Sequence, residues 1–190
     1  MRSESGQSLT ELLTALTILA VVLGSLTTVF VAATRAEVDA TERFSAQQEA
    51  RLALDHLRRE AHCARFIAPD ATTPAETITL NLDAAAGCPS GSGSIMWCTS
   101  GSGSRFALYR IAPSTGSCSG GTKVADFLTT GAVFAYGAPS TASLARLKVD
   151  LIVDTSSISP GGVYRLCDEI ALRNSGRSGS GAAPTPCPTG

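Results

Sequence analysis

The sequence has few charged residues and no excess of either sign. Lysine and arginine total 15 and aspartate and glutamate total 16, so the formal net charge is -1, and charged residues make up 16% of the 190 positions. A chain without net positive charge creates no global field that attracts phosphates, which argues against nucleic acid as a partner. The length suits one folded domain plus an attachment segment.

Motifs that usually carry catalysis or metal binding are also missing. His56 and His62 are the only histidines, and their spacing puts them out of alignment on a helix, which suits solvated positions better than a metal site. There is no GxSxG segment, and the glycine-rich stretches "GCPSGSGS" and "SGSGS" lack the Lys-Ser/Thr pair of a phosphate-binding loop. Four carboxylates match no calcium-loop spacing and are better explained as solvent-facing charges: Asp150, Asp154, Asp168 and Glu169. We therefore expect no enzyme activity, no cofactor and no metal site.

The cysteines contain no CxxC pair, so disulfides explain them better than a structural metal. The six are Cys63, Cys88, Cys98, Cys118, Cys167 and Cys187. Fifteen pairings are open, and the sequence alone does not choose among them. Proximity along the chain favours Cys98 with Cys118 and Cys167 with Cys187, which leaves Cys63 for Cys88. Each bridge would contribute about 2 to 4 kcal/mol to a domain whose core is rich in alanine.

The longest apolar run lies close to the N-terminus. No charged residue occurs between Leu12 and Thr34. At about 1.5 Å per residue this run can cross a hydrocarbon core of roughly 30 Å, so it predicts a transmembrane helix over residues 7–34. A plain signal anchor and a cleaved secretory signal are the alternatives; a secretory signal has a shorter apolar region with a small-x-small site after it, which Ala32 and Ala33 could mimic.

Glu11 lies at the leading edge of this apolar run. A lone carboxylate in lipid costs about 2.5 to 3.5 kcal/mol even on insertion scales, so such an acid is by default a functional residue with a positive partner. Arg2 lies too far before Glu11 and Arg35 lies at the far end of the run. We therefore expect the partner in another chain.

The order of Gly6, Gln7, Ser8, Leu9, Thr10 and Glu11 before a long apolar helix resembles the class III signal of type IV pilins and type II secretion pseudopilins. In that family a prepilin peptidase cuts after the glycine and methylates the new amino terminus, and the acid neutralises the amino terminus of a neighbouring subunit. The resemblance implies cleavage between Gly6 and Gln7, N-methylation of Gln7 and a role for Glu11 in subunit assembly. Gln7 stands where the family usually has Phe or Met.

Residues 34–64 contain neither glycine nor proline, which predicts that the helix continues as an amphipathic segment over residues 35–66. Charged and polar residues fall on one side: Arg51, Asp55, Arg58, Arg59 and His62. A stripe of small and apolar residues falls on the other: Ala46, Ala50, Ala53, Leu54, Leu57, Ala61 and Ala64. We expect a sheet to cover this stripe, since a coiled coil would need a sustained heptad.

After Ala68-Pro69-Asp70 the pattern changes to short alternating runs, which predict an antiparallel sheet with one solvated face over residues 67–174. Two runs predict a buried face clearly: Ile78, Leu80 and Leu82 in one, and Leu147, Val149, Leu151 and Val153 in the other. A hairpin around residues 100–104 and strands at "VFAY" and "YRLCDEIALR" complete the expected sheet. Residues 175–190 are rich in Gly, Ser and Pro and are expected to form a flexible tail unless Cys187 pins it.

These patterns together predict an α+β fold, in which a long N-terminal helix packs on a disulfide-stabilised antiparallel sheet. The segments "ALYRI", "VFAYG" and "IALRNS" resemble the J-type minor pseudopilins. The resemblance implies a minor pilin-like subunit of a type IV pilus or type II secretion-like filament, with a leader at residues 1–6, a cytoplasmic N-terminus, a single membrane pass and an extracytoplasmic C-terminal domain. The partners that it implies are prepilin peptidase, other pilin or pseudopilin subunits, an inner-membrane assembly platform and membrane lipid.

Two other functions stay open from the residues alone. One is a signal-anchored extracytoplasmic binding module that is not assembled into filaments, for which Glu11 would be incidental. The other is a competence pilin that contacts DNA through a clustered basic surface. The candidates for that surface are Arg105, Arg110, Arg146 and Lys148.

Overall fold

A computed structural model of the chain describes residues 8–82, 93–154, 163–176 and 181–188. Within these residues one helix, α1 (Leu9–Cys63), precedes eight strands: β1 (Ala64–Ala68), β2 (Thr77–Leu82), β3 (Gly93–Ser102), β4 (Arg105–Ile111), β5 (Thr122–Leu128), β6 (Phe134–Gly137), β7 (Arg146–Val153) and β8 (Tyr164–Ala171). The predicted α+β architecture is confirmed. The chain divides into two compact units, Met1–Thr41 and Glu42–Gly190, which are described separately.

The strands form one antiparallel sheet. Strands β1 to β5 follow one another in chain order, and β7 then continues the sheet. The β7 strand pairs with β8 along its whole length, with β6 at its beginning and with β5 only through Val153 and Leu128. The predicted hairpin is formed by β3 and β4, in which Ser102 pairs with Arg105.

The core lies between the sheet and the second half of α1. The predicted faces of β2 and β7 are confirmed, because each strand alternates buried residues with more exposed ones. The buried residues of α1 are six of the seven residues of the predicted stripe together with one carboxylate, Glu60; the seventh, Ala64, is buried at the start of β1. Alanine dominates the stripe, and a residue without a long side chain lets a helix backbone approach a sheet closely.

The opposite side of the sheet, called here the outer face, carries a smaller apolar cluster. Met96 and Cys98 flank the inward-facing Trp97 on β3 and therefore point outward. They pack with Ile111 and with the partly buried Tyr109 and Cys118. The disulfide between Cys98 and Cys118 joins Cα atoms 6.0 Å apart and fastens the segment that follows β4 to this face.

Two elements differ from the sequence patterns. The helical pattern extends to residue 66, but α1 ends at Cys63 and β1 begins at once. Ile67 pairs with Leu80 of β2 and is buried, and this long-range pairing outweighs local helix propensity. The sequence patterns also do not predict β5. The alternation of this strand is broken at Phe127, which adopts a left-handed conformation with φ 63°.

Candidate functional site

The N-terminal end of α1 places Glu11 in the first helical turn. The carbonyl of Ser8 accepts hydrogen bonds from the backbone N–H groups of Glu11 (3.0 Å) and Leu12 (3.2 Å), so Ser8 occupies the N-cap position. Ser8 and Glu11 have the spacing of a capping box, and a carboxylate here complements the positive end of the helix dipole. Helix electrostatics therefore favour the charge of Glu11 at this position.

The surface that follows Glu11 is apolar and uncovered. An 18-residue window of the helix has mean hydropathy 2.3, and none of it is buried. Its hydroxyl groups donate to carbonyls three or four residues earlier, which hides their polarity: Thr14, Thr17, Ser25, Thr27, Thr28 and Thr34. This helix is long and apolar enough to cross a bilayer, and it fits a membrane-anchored single-pass protein.

Of the three residues that carry the predicted signal, the structure describes only Glu11. Glu11 is exposed on the first turn of α1. Gly6 and Gln7 lie outside the described residues, so their predicted cleavage and methylation remain predictions.

A second carboxylate, Glu60, is buried between α1 and the sheet with 3% of its side chain exposed. It accepts a hydrogen bond from Trp97 Nε1–H at 2.8 Å. Arg110 donates to the same carboxylate through Nε at 2.8 Å and Nη2 at 2.6 Å. Trp97 and Arg110 are direct neighbours across the β3–β4 pair, so one helix residue contacts both strands of the hairpin.

His56 lies one turn before Glu60 and completes this group. Its Nε2 atom is 3.5 Å from Glu60 Oε1. Its ring meets Trp97 edge-on, with centroids 5.7 Å apart. Because a buried carboxylate is stable only when it is hydrogen-bonded and neutralised, this arrangement suits the positioning of the helix on the sheet rather than catalysis.

The partners of Glu60 could not be found from the sequence, although its position could. Glu60 follows Leu57 by three residues on the buried stripe, so the pattern already places a carboxylate on the wrong side of an amphipathic helix. Trp97 and Arg110 are distant in sequence, and only the β3–β4 register brings them together.

The four basic candidates for a DNA-binding surface are each engaged within the domain. Arg110 faces α1 and pairs with Glu60. Arg105 lies over the ring of Phe127, 4.6 Å from its centroid. On the outer face, Arg146 lies 3.4 Å from Glu169, and Lys148 donates to the Pro186 carbonyl at 3.4 Å. Within the described residues these four do not form the continuous basic patch that phosphate binding requires.

The cysteine pairings agree with the local prediction where they can be compared. The Cys98–Cys118 and Cys167–Cys187 disulfides are confirmed. Cys63 is disulfide-bonded. Its predicted partner, Cys88, lies outside the described residues.

Three of the four carboxylates considered for calcium, Asp150, Asp168 and Glu169, pair with arginines of the protein itself. Asp150 accepts from Arg165 Nε and Nη2 at 2.8 and 2.6 Å. Asp168 accepts from Arg58 Nη2 at 2.7 Å, which ties β8 to α1. Among the residues that the structure describes, no group of three or more His, Cys, Asp or Glu side chains could hold a metal ion.

The N-terminal signal resembles that of a known family. No curated protein and no solved structure is significantly similar to this chain. The region that matches a known family contains Gly6, Gln7, Glu11 and much of the apolar run. Residues 1–27 match the family profile described as the prokaryotic N-terminal methylation motif, so the chain carries a class III signal of the type IV pilin kind.

Proposed function

We propose that this protein is a minor pilin-like, or pseudopilin, structural subunit that is processed by prepilin peptidase and incorporated into a type IV pilus or a type II secretion-like filament. The observation that carries the proposal is the N-terminal methylation motif joined to an uncovered apolar helix with Glu11 in its first turn. The same residues serve as membrane anchor before assembly and as packing surface afterwards.

The chemistry of the proposed processing explains why an acid belongs near the start of this helix. Cleavage after Gly6 leaves a cationic amino group at Gln7, and its N-methylation by the same peptidase keeps that charge. In a staggered bundle of helices, the amino terminus of a neighbouring subunit can lie level with Glu11. A pair of opposite charges in a medium of low dielectric constant attracts strongly, and an unpaired Glu11 penalises every other offset between subunits.

The remaining energy of assembly comes from the apolar helix surface. Helices in lipid associate through close packing rather than through the hydrophobic effect, and side chains in this part of α1 leave most of their surface available to neighbours. The domain that follows the membrane segment would then face the extracytoplasmic side, with an inner-membrane platform supporting extraction from the lipid. The short segments that resemble J-type pseudopilins support the minor-subunit role; they fall on β4, on β6, and on the end of β8 with the residues that follow it.

The test of this function is the Glu11→Gln variant, which keeps the size of the side chain and removes its charge. We expect incorporation into sheared filaments to fall at least 10-fold, because the intersubunit charge pair is lost, while carbonate-resistant membrane insertion is unchanged. The measurement is the filament-to-membrane ratio on immunoblots.

Glu37→Gln is the matched control, since Glu37 is exposed on the same helix beyond the apolar run, and it should assemble normally. Intact mass should show mature chains that begin at Gln7. Unchanged incorporation of Glu11→Gln, or a wild-type chain that keeps Met1, would contradict the proposal and favour the signal-anchored binding module.

A further inference from the structure

The C-terminal residues 181–188, called here the strap, lie against the outer face of the sheet. Gly181 N–H donates to the Pro139 carbonyl at 3.3 Å, and Cys187 N–H donates to Glu169 Oε1 at 2.8 Å. The Pro186 carbonyl accepts from Lys148 Nζ at 3.4 Å. The disulfide between Cys187 and Cys167 of β8 closes the contact.

The backbone of the strap lies very close to the sheet at Gly137. A Cβ atom added to Gly137 would collide with the Ala182 carbonyl and would lie 2.7 Å from Pro184 Cδ. Pro184 is buried, whereas its neighbours in the strap are exposed. The strap is therefore seated by one proline ring over a glycine at the end of β6.

A small cavity continues the seat along the outer face. Its volume is about 70 Å³, and its lining includes Thr72, Pro74, Phe134, Lys148, Asp150 and, from the strap itself, Thr185. Because Thr185 supplies one wall, removal of the strap would widen the opening of the cavity.

Among the described residues, the hydrogen bonds that hold the strap are few. Ordering eight residues costs conformational entropy at each residue. The contacts of the strap with the described residues include three hydrogen bonds, two of them longer than 3.2 Å, the close approach of Gly181 to Ala138 and one buried proline. Closure of the disulfide strengthens the docking, since it holds the strap at a high local concentration beside its seat. The Cys167–Cys187 bond is therefore a latch.

The character of these contacts is that of peptide recognition. In these hydrogen bonds the strap uses only its backbone N–H and C=O groups, so the bonds do not depend on the side chains of the strap. The side chain that anchors the strap is a proline. Prolines at alternate positions favour an extended chain that loses little entropy on binding.

We propose that the outer face of β6, β7 and β8 is a binding groove for an extended, proline-containing peptide of another protein, which the strap fills in the oxidised chain and vacates when the latch is reduced. A dithiol supplies two electrons and two protons and becomes a disulfide, while Cys167 and Cys187 become thiols. The groove would thus be available only under reducing conditions or before the latch has formed.

The experiment uses the full chain in detergent micelles and a fluorescent synthetic peptide, GAAPTPSP, which is the strap with serine in place of its cysteine. The strap is released in a variant that combines Cys167→Ser, Pro184→Asp and Cys187→Ser. Fluorescence anisotropy should show saturable binding to this variant, at least 10-fold tighter than to the oxidised wild type. The matched control adds Gly137→Val, which fills the seat and should weaken binding at least 10-fold.

Absence of saturable binding to the folded release variant would overturn the proposal, as would equal binding to the oxidised wild type or to the Gly137→Val control. If the release variant does not fold, hydrogen exchange of the wild type with and without dithiothreitol decides the matter. Exchange of the Gly181 and Cys187 amides should rise at least 10-fold on reduction while β7 stays protected. Unchanged exchange at these two amides would also overturn the proposal.

Discussion

At the scale of single residues, two carboxylates of α1 illustrate two solutions to the same problem. Glu11 lies on an uncovered apolar helix and has helix electrostatics in its favour, and the proposed function adds a neighbouring chain. Glu60 is buried and receives its donors from its own chain, Trp97 and Arg110. A buried acid with charge-assisted hydrogen bonds specifies one orientation of a helix, because every other orientation leaves it unpaired.

We predict that Glu60→Ala lowers the free energy of unfolding by about 3 kcal/mol, since it leaves the Arg110 guanidinium and the Trp97 N–H without their acceptor. Urea denaturation followed by tryptophan fluorescence measures this directly, because Trp97 is the only tryptophan of the chain. Asp55→Asn is the control: Asp55 pairs with Arg59 on the exposed side of α1 and should change stability by no more than about 0.5 kcal/mol. Equal effects of the two variants would show that Glu60 has no special role.

At the scale of elements, the two sides of the second half of α1 make different contacts with the sheet. Every alanine between residues 42 and 63 is buried, so small side chains set the distance between helix and sheet. The charged side is not simply solvated, since Arg58 pairs with Asp168 and Arg51 donates to the Tyr164 hydroxyl at 3.0 Å. The helix is thus held by apolar packing below and by polar contacts to β8 at its flank.

The alanine stripe leads to a prediction about close packing. Ala50 has no exposed surface, so Ala50→Leu inserts a larger side chain into a filled interface and should cost about 1 to 3 kcal/mol in unfolding free energy. The exposed Gln48 is two residues away, and Gln48→Leu should stay within about 0.5 kcal/mol of wild type. Thermal unfolding by circular dichroism compares the two; a tolerated leucine at position 50 would mean that the helix can move away from the sheet at little cost.

At the scale of the whole domain of residues 42–190, the two described disulfides both fasten a segment of the chain to the outer face of the sheet. Each joins a strand to a segment that has no regular secondary structure, and each spans a sequence separation of 20. Equal separations mean equal loop-closure terms in the unfolded chain, so a difference in their contributions must come from the folded state.

We predict that Cys98→Ser with Cys118→Ser lowers stability by about 3 kcal/mol, because this bridge also covers the apolar cluster around Met96 and Ile111. The pair Cys167→Ser with Cys187→Ser should cost at least about 1 kcal/mol less, since the released strap regains its own entropy while the sheet stays folded. Urea titrations of both double variants measure the difference. Equal losses would indicate that the strap is part of the cooperative folding unit.

Much of this protein was determined by its sequence alone, because the relevant forces act between near neighbours. Helical periodicity identified the buried stripe from Ala46 to Ala61, and strict alternation identified the inner faces of β2 and β7. The N-terminal motif was recognisable for the same reason, since residues 6–11 are contiguous. Proximity along the chain was also enough to pair Cys98 with Cys118 and Cys167 with Cys187.

Only the tertiary structure decided what depends on contacts between distant residues. The partners of Glu60 lie on two strands whose register no local pattern specifies, and β1 forms because β2 is available to pair with it. The seat of Pro184 over Gly137 likewise requires β6 and the C-terminus to meet. Local sequence sets which conformations each segment prefers, but the free energy of burial and pairing is shared between segments and exists only once they are brought together.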